Sequence, residues 1–267
     1  MMNARLYTGT GKHSSVALVF IHGFLGCGQD WHKIVERCSD YTSLTVDLPA
    51  HGASGEVVVE GFSDLIPELC RTLKRVLPAW VKRVIVVGYS LGGRVAMMLA
   101  HEYARQPTLL PQPMAGLVIE AGHPGLKEEA ARAARLCSDQ KWATRFAEEP
   151  METVLFDWYR QPLFSDLSDE EKKEALLRRA GNHGKKIAAL LRATSLARQP
   201  DLSGFLKTWR LPWLYIVGEH DTKFYRLAKE EGFLMSVIPN AGHDTHTKAP
   251  EAFCRVLRDY LNTVQYD

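Results

Sequence analysis

Apolar residues follow two alternating rhythms along this chain. Val16–Ile21 is an unbroken apolar run ended by His22-Gly23, which predicts a strand buried on both faces. Ser43–Leu48, closed by Pro49, predicts a second short strand, and Arg83–Val87, dense in valine and isoleucine, a third. Leu117–Ile119 centres a fourth. Between these runs Leu65, Leu69, Leu73, Val76 and Leu77 recur at helical spacing, and Pro78 ends that helix. Val95–Tyr103 predicts a helix that is apolar nearly all round and therefore buried. Strands alternating with helices imply a mostly parallel sheet flanked by helices.

The rhythm breaks between residues 126 and 200, where no strand pattern occurs and Ala, Arg, Glu and Leu dominate. Ser168 with Glu171 forms a capping box that opens one helix there. Strand character returns at Leu211–Val217 and Leu234–Ile238. A last helix starts near Pro250 and carries Phe253, Val256, Leu257, Tyr260 and Leu261 on one stripe. The expected organisation is an α/β core from residues 1–125 and 201–267, interrupted by a helical cap insertion over 126–200. Insertions in such sheets sit at the carboxyl ends of the strands, above the ligand crevice.

Composition excludes several classes. Apolar residues make up 46% and charged residues 24% of 267, which disordered and coiled-coil chains do not show. With 33 basic and 31 acidic residues the net charge is +2, too balanced for a nucleic-acid partner. The longest apolar runs fall far short of the ~20 residues a membrane span needs. The stretch Met1–Thr10 lacks the apolar centre of a secretory signal. The five cysteines Cys27, Cys38, Cys70, Cys137 and Cys254 are odd in number and widely spaced, as free thiols of a cytoplasmic protein would be. Nothing in the pattern requires more than a monomer.

The sharpest chemical signal is Gly88-Tyr89-Ser90-Leu91-Gly92-Gly93, between a predicted strand and a predicted helix. A serine there projects its hydroxyl from a tight turn, and glycines on either side relieve the crowding. Such a nucleophile needs a base, and the base an orienting carboxylate, in the chain order Ser, Asp or Glu, His. Asp221 follows the strand ending at Val217, and His243 follows the strand ending at Ile238; these complete the expected triad with Ser90. Rival acids are Glu219 and Glu120, and rival bases His246 and His220. An oxyanion hole needs two backbone N–H donors. Leu91, after the nucleophile, supplies one; Phe24, in His22-Gly23-Phe24-Leu25-Gly26, is expected to supply the other.

His22-Gly23, Asp47-Leu48-Pro49-Ala50-His51-Gly52-Ala53-Ser54, the serine turn, Asp221 and Gly242-His243 together resemble the α/β-hydrolase superfamily over the whole chain. One departure is Ala50, where many members carry glycine. More specifically, Gly88–Met98, Glu120-Ala121-Gly122-His123-Pro124-Gly125-Leu126 and Asp157-Trp158-Tyr159 resemble the 2-succinyl-6-hydroxy-2,4-cyclohexadiene-1-carboxylate synthase family of menaquinone biosynthesis. The resemblance implies a lyase that eliminates pyruvate from a succinylated, enolpyruvyl cyclohexene carboxylate. It implies no metal and no organic cofactor. The alternative is a serine hydrolase (an esterase, thioesterase or carbon–carbon bond hydrolase) acting on a carboxylated substrate with the same triad.

Arg94 bears on that choice. It lies one helical turn after Ser90 among apolar neighbours, so its charge is buried and needs a partner. That partner is either a carboxylate of the substrate or an internal Asp or Glu. The insertion adds Arg132, Arg135, Arg145, Arg178, Arg179 and Arg192. The resemblance favours Arg135 and Arg179 as substrate ligands, with Tyr89 and Trp158 lining the pocket.

Overall fold

The computed structural model describes residues 1–264. Seven strands form one sheet: β1 (Ala4–Tyr7), β2 (His13–Ile21), β3 (Tyr41–Val46), β4 (Arg83–Tyr89), β5 (Met114–Glu120), β6 (Trp213–Gly218) and β7 (Met235–Ile238). Their spatial order is β1-β3-β2-β4-β5-β6-β7, and all pairs are parallel except β1 with β3. The unbroken apolar run of β2 serves both faces. Ala17, Val19 and Ile21 enter one core cluster, while Val16, Leu18 and Phe20 enter the other. This two-sided burial is why the central strands lack polar alternation.

The helices are α1 (His32–Arg37), α2 (Phe62–Val76), α3 (Leu91–Arg105), α4 (Glu129–Glu148), α5 (Met151–Trp158), α6 (Asp169–Arg179), α7 (Gly184–Ala193), α8 (Ser203–Thr208), α9 (Thr222–Glu231), α10 (Thr245–Lys248) and α11 (Pro250–Thr263). Between β5 and β6 every described regular element is a helix, and the Ser168–Glu171 capping box opens α6. None of the helices described is long and apolar enough to cross a membrane. All five cysteines are free thiols.

The sequence pattern passes over β1, α1, α8, α9 and α10. β1 is a four-residue edge strand, and α1, α8 and α10 have six residues or fewer. Such short elements show too little periodicity to separate from loop, and their neighbours, not their own propensity, hold them.

Candidate active site

The carboxyl ends of β2, β4, β5, β6 and β7 meet at one edge of the sheet and deliver the reactive side chains. Ser90, directly after β4, has φ 51° and ψ −108°, a strained conformation for a residue with a Cβ. The turn is tight enough that a Cβ on Gly88 would lie 2.3 Å from the carbonyl oxygen of Gly92, and one on Gly92 2.1 Å from that of Ile21. Glycine is therefore a steric requirement at both positions.

His243 Nδ1 lies 2.7 Å from Asp221 Oδ2, and Nε2 lies 3.1 Å from Ser90 Oγ. A carboxylate only accepts, so Nδ1 carries the proton and Nε2 is free to accept from the serine hydroxyl. Asp221 also begins α9: its Oδ1 accepts from the N–H of Phe224 at 3.1 Å. One carboxylate thus caps a helix with one oxygen and orients the imidazole with the other. Asp221 and His243 are 5% and 2% exposed.

The rival groups have other partners. Glu120, fully buried, accepts from the N–H and hydroxyl of Thr245 at 2.7 and 2.6 Å, from the N–H of His246 at 3.0 Å, and from His246 Nδ1 at 2.7 Å. Burial alone would depress the His246 pKa, but the charges of Glu120 and Asp244 outweigh it and push it up to about 9. As an imidazolium stacked on Trp31, with ring centroids 3.9 Å apart, His246 is a poor base. Glu219 accepts from the N–H of Asn240, and both it and His220 are exposed.

Two buried histidines shape the loop after β2. His22 Nδ1–H donates to the Gly23 carbonyl, and its Nε2 accepts from the N–H of Leu48 at 2.9 Å. His51 Nδ1–H donates to the Pro49 carbonyl, and its Nε2 accepts from the N–H of Leu25 at 2.9 Å. Burial lowers both pKa values; repulsion between the rings adds to this at His51, which falls to about 3. Both rings therefore stay neutral acceptors. The amides of Leu25 and Gly26 are engaged, whereas that of Phe24 has no partner among the described residues. The amide of Leu91, first residue of α3, has no acceptor in its own helix. Both residues line one cavity with Ser90. Ala50 in the neighbouring loop has φ 65°, so its departure from glycine costs about 1 kcal/mol of backbone strain.

Two cavities flank Ser90 and His243, sharing Phe24, Trp158 and Leu163 as a common wall. One, of about 270 Å³, is lined by Tyr89, Tyr159 and Arg179 among others. The other, of about 430 Å³, holds Arg94, Arg135 and Lys223. Trp158 packs between Phe24, Trp142 and Phe146 at ring distances of 5.3, 5.0 and 5.6 Å. The ring of Tyr89 lies 5.3 Å from that of His243.

Arg94 is 8% exposed, and no Asp or Glu lies within ion-pair distance of it among the described residues. The internal ion pair is therefore excluded. Its Nε donates to Gln199 Oε1 at 2.6 Å, its Nη2 to the Thr194 carbonyl at 2.7 Å, and its guanidinium sits over the ring of Phe62. Burial, then repulsion by Arg135, lowers its pKa to about 9, which still leaves it charged at neutral pH. Arg135 donates from Nε to Asp139 at 2.8 Å. Arg179 makes a two-point pair with Asp30, at 2.9 and 2.8 Å, across 149 residues of chain. Arg145 pairs with Glu149 and Asp157, Arg178 with Glu174, and Arg132 with the carbonyls of Ala197 and Gln199. Sequence reasoning passed over Gln199, Asp30 and Lys223. Only Lys223 left a usable signal, since it lies two residues past the triad acid on the same rim.

The alpha/beta hydrolase family model matches residues 18–256. The chain is 44% identical over 253 residues to the 2-succinyl-6-hydroxy-2,4-cyclohexadiene-1-carboxylate synthase of Escherichia coli O1:K1 / APEC, covering 94% of this chain and 96% of that protein. The same figures hold for the synthase of Escherichia coli O17:K52:H18. MenH from S. aureus has a similar solved structure, with a TM-score of 0.85, 29% identity and 98% of both chains covered. A thermophilic esterase from Thermogutta terrifontis, at 21% identity and a TM-score of 0.73 over 98% of this chain and 93% of that one, shares the fold. By the extent of the family match and the identity of these relatives, the chain belongs to the 2-succinyl-6-hydroxy-2,4-cyclohexadiene-1-carboxylate synthase family of alpha/beta hydrolases.

Proposed function

We propose that this protein is a lyase of menaquinone biosynthesis. It eliminates pyruvate from 2-succinyl-5-enolpyruvyl-6-hydroxy-3-cyclohexene-1-carboxylate and leaves 2-succinyl-6-hydroxy-2,4-cyclohexadiene-1-carboxylate. The observation that carries this reading is Arg94, a buried cation with only neutral protein partners, at the cavity beside Ser90. A guanidinium so placed suits a carboxylate, and this substrate carries three.

In this mechanism Asp221 holds His243 so that the Ser90–His243 pair takes the ring proton next to the succinyl carbonyl. Electrons of the broken C–H bond move onto the carbonyl oxygen, where the amides of Phe24 and Leu91 meet the developing charge. They return through the ring double bond and expel the enolpyruvyl oxygen. The departing enol takes a proton at carbon and becomes pyruvate, so the reaction needs no external oxidant or reductant. Arg94 and Arg135 hold substrate carboxylates, while Tyr89 and Trp158 pack against the ring. Arg179 reaches a carboxylate only by exchanging Asp30 for it. The helices of residues 126–200 act as a cap that keeps water from the reacting carbons. The protein works in the cytoplasm on this small carboxylated molecule.

An assay of pyruvate release from the pathway intermediate, beside hydrolysis of p-nitrophenyl acetate, tests the reading. Rapid pyruvate release with slow ester hydrolysis is expected. Efficient ester hydrolysis without pyruvate release would make the protein a serine hydrolase.

A further inference from the structure

Lys223 is a cation that the lyase mechanism above does not use. It stands on α9, two residues beyond Asp221, and lines the 430 Å³ cavity with Arg94 and Arg135. It makes no hydrogen bond and no ion pair among the described residues; its ammonium lies 5.2 Å from the ring of Phe224. That ring packs 4.9 Å from the imidazole of His243, so Lys223 stands close to the chemistry. Lys223 is exposed to solvent, yet desolvation by the protein around its ammonium, and after it repulsion by Arg135, pulls its pKa below that of an ordinary lysine, with Asp221 and Asp139 acting the other way.

Three helices thus bring three cations to one cavity, Arg94 from α3, Arg135 from α4 and Lys223 from α9. The cavity contains one carboxylate, Asp139, already committed to Arg135 at 2.8 Å and to the hydroxyl of Ser195 at 2.6 Å. Arg94 and Lys223 have no carboxylate within ion-pair distance among the described residues. Like charges held together in a partly enclosed site repel, and an anionic ligand relieves that repulsion.

We propose that Lys223 is a specificity-determining residue that binds a second substrate carboxylate, Arg94 binding the first, so that this cavity selects molecules with at least two carboxylates. The assignment rests on the lyase reading for its substrate and on the cavity's uncompensated charge for its chemistry. The two cations suit different tasks. Arg94 is fixed by Gln199 and Thr194 and presents a rigid fork, while the unbound ammonium of Lys223 on its flexible stem can follow a mobile carboxylate.

The test compares Lys223→Met and Lys223→Arg with the unmodified protein, reading KM and kcat for pyruvate release at low and high salt. Lys223→Met should raise KM roughly tenfold or more, with a smaller fall in kcat and a shallower salt dependence. Lys223→Arg should restore most of the KM, with the thermal midpoint unmoved in both. A KM within about twofold of the unmodified protein in Lys223→Met would overturn the proposal. So would equal losses in both variants with a lowered thermal midpoint. A second arm titrates propane-1,2,3-tricarboxylate by calorimetry and needs no turnover. Weaker binding in Lys223→Met with no pyruvate release from the unmodified protein would sink the lyase reading and keep Lys223 as a carboxylate ligand. Equal binding in both proteins would remove Lys223 from that role.

Discussion

The two cavities beside Ser90 use the same residue types to opposite effect. In the smaller one, Lys33, Arg178, Arg179 and Lys248 face Asp30, Glu171, Glu174 and Asp244, so charge cancels within the wall. Arg179 is held by Asp30, Lys248 by Glu171 and Arg178 by Glu174. In the larger one, Arg94, Arg135 and Lys223 outnumber Asp139. An arginine paired at two points, as Arg179 is with Asp30, shapes a wall; Arg94, held only by carbonyl and amide oxygens, keeps its full charge for a ligand. On the proposed function, the missing carboxylates rather than the number of arginines set the side on which a polyanionic substrate would rest.

The largest effect should come from the residues both cavities share. Ser90→Ala and His243→Ala should each lower pyruvate release by several orders of magnitude with the fold intact, as measured by steady-state kinetics and circular dichroism. Asp221→Asn should be severe as well, about 10⁴-fold in kcat if the imidazole takes the wrong tautomer. Near-normal turnover in His243→Ala would move the base elsewhere and make the shared wall a mere partition.

Next comes the uncompensated cavity. Arg94→Ala removes a charge-assisted hydrogen bond worth ~1.5–3 kcal/mol, or about ten- to two-hundredfold in kcat/KM. Arg94→Lys should recover only part of this, since an ammonium cannot reproduce the planar fork. A neutral ester has no carboxylate to lose, so its hydrolysis should fall far less. Equal losses for both substrates would mean that Arg94 only supports the serine turn, and the contrast between the cavities would lose its functional meaning.

The balanced cavity should answer in stability. Arg179→Met leaves Asp30 nearly buried without its cation and should cost about 2 kcal/mol in urea unfolding. Adding Asp30→Asn should return part of that loss, because the pair rather than either residue carries the effect. Strict additivity of the two substitutions would show that the pair is not coupled.

The last expected effect is a pH dependence that emerges only above about pH 6.5. The folded pKa of His246, about 9, lies above the ordinary value of 6.5. Its ion pairs with Glu120 and Asp244 therefore contribute stability that is fully present below about pH 6.5 and lost as pH rises through about 9. Deprotonation also removes the imidazolium facing Asp244 at the edge of the smaller cavity. Urea unfolding across this range should show stability falling with pH, and His246→Gln should flatten the slope. An unchanged slope in that variant would detach His246 from the balance.

Much of the site was legible in the sequence because its signals are local. Ser90 lies in a turn where Gly88 is demanded by the backbone of Gly92 four residues on, whereas Gly92 itself is demanded by the distant Ile21 of β2. Asp221 comes shortly after the buried strand β6, and His243 shortly after the edge strand β7. What was not legible depended on distance along the chain. Arg94 finds Gln199 across 105 residues and Arg179 finds Asp30 across 149, and no periodicity links such positions.

The sequence by itself determined strands β2 to β7 and helices α2, α3 and α11, and that a serine, an aspartate and a histidine emerge at the same edge of a mostly parallel sheet. Apolar period and backbone sterics act over a few residues, so the chain carries that information locally. Only the tertiary structure decided which cations are spent. Asp30 arrives from the loop after β2 to neutralise Arg179, while Thr194 and Gln199 arrive to hold Arg94 without neutralising it. A buried charge acquires its function from the partner that the fold does or does not bring to it, because Coulomb energy in an enclosed site depends on separation in space and not on separation in sequence.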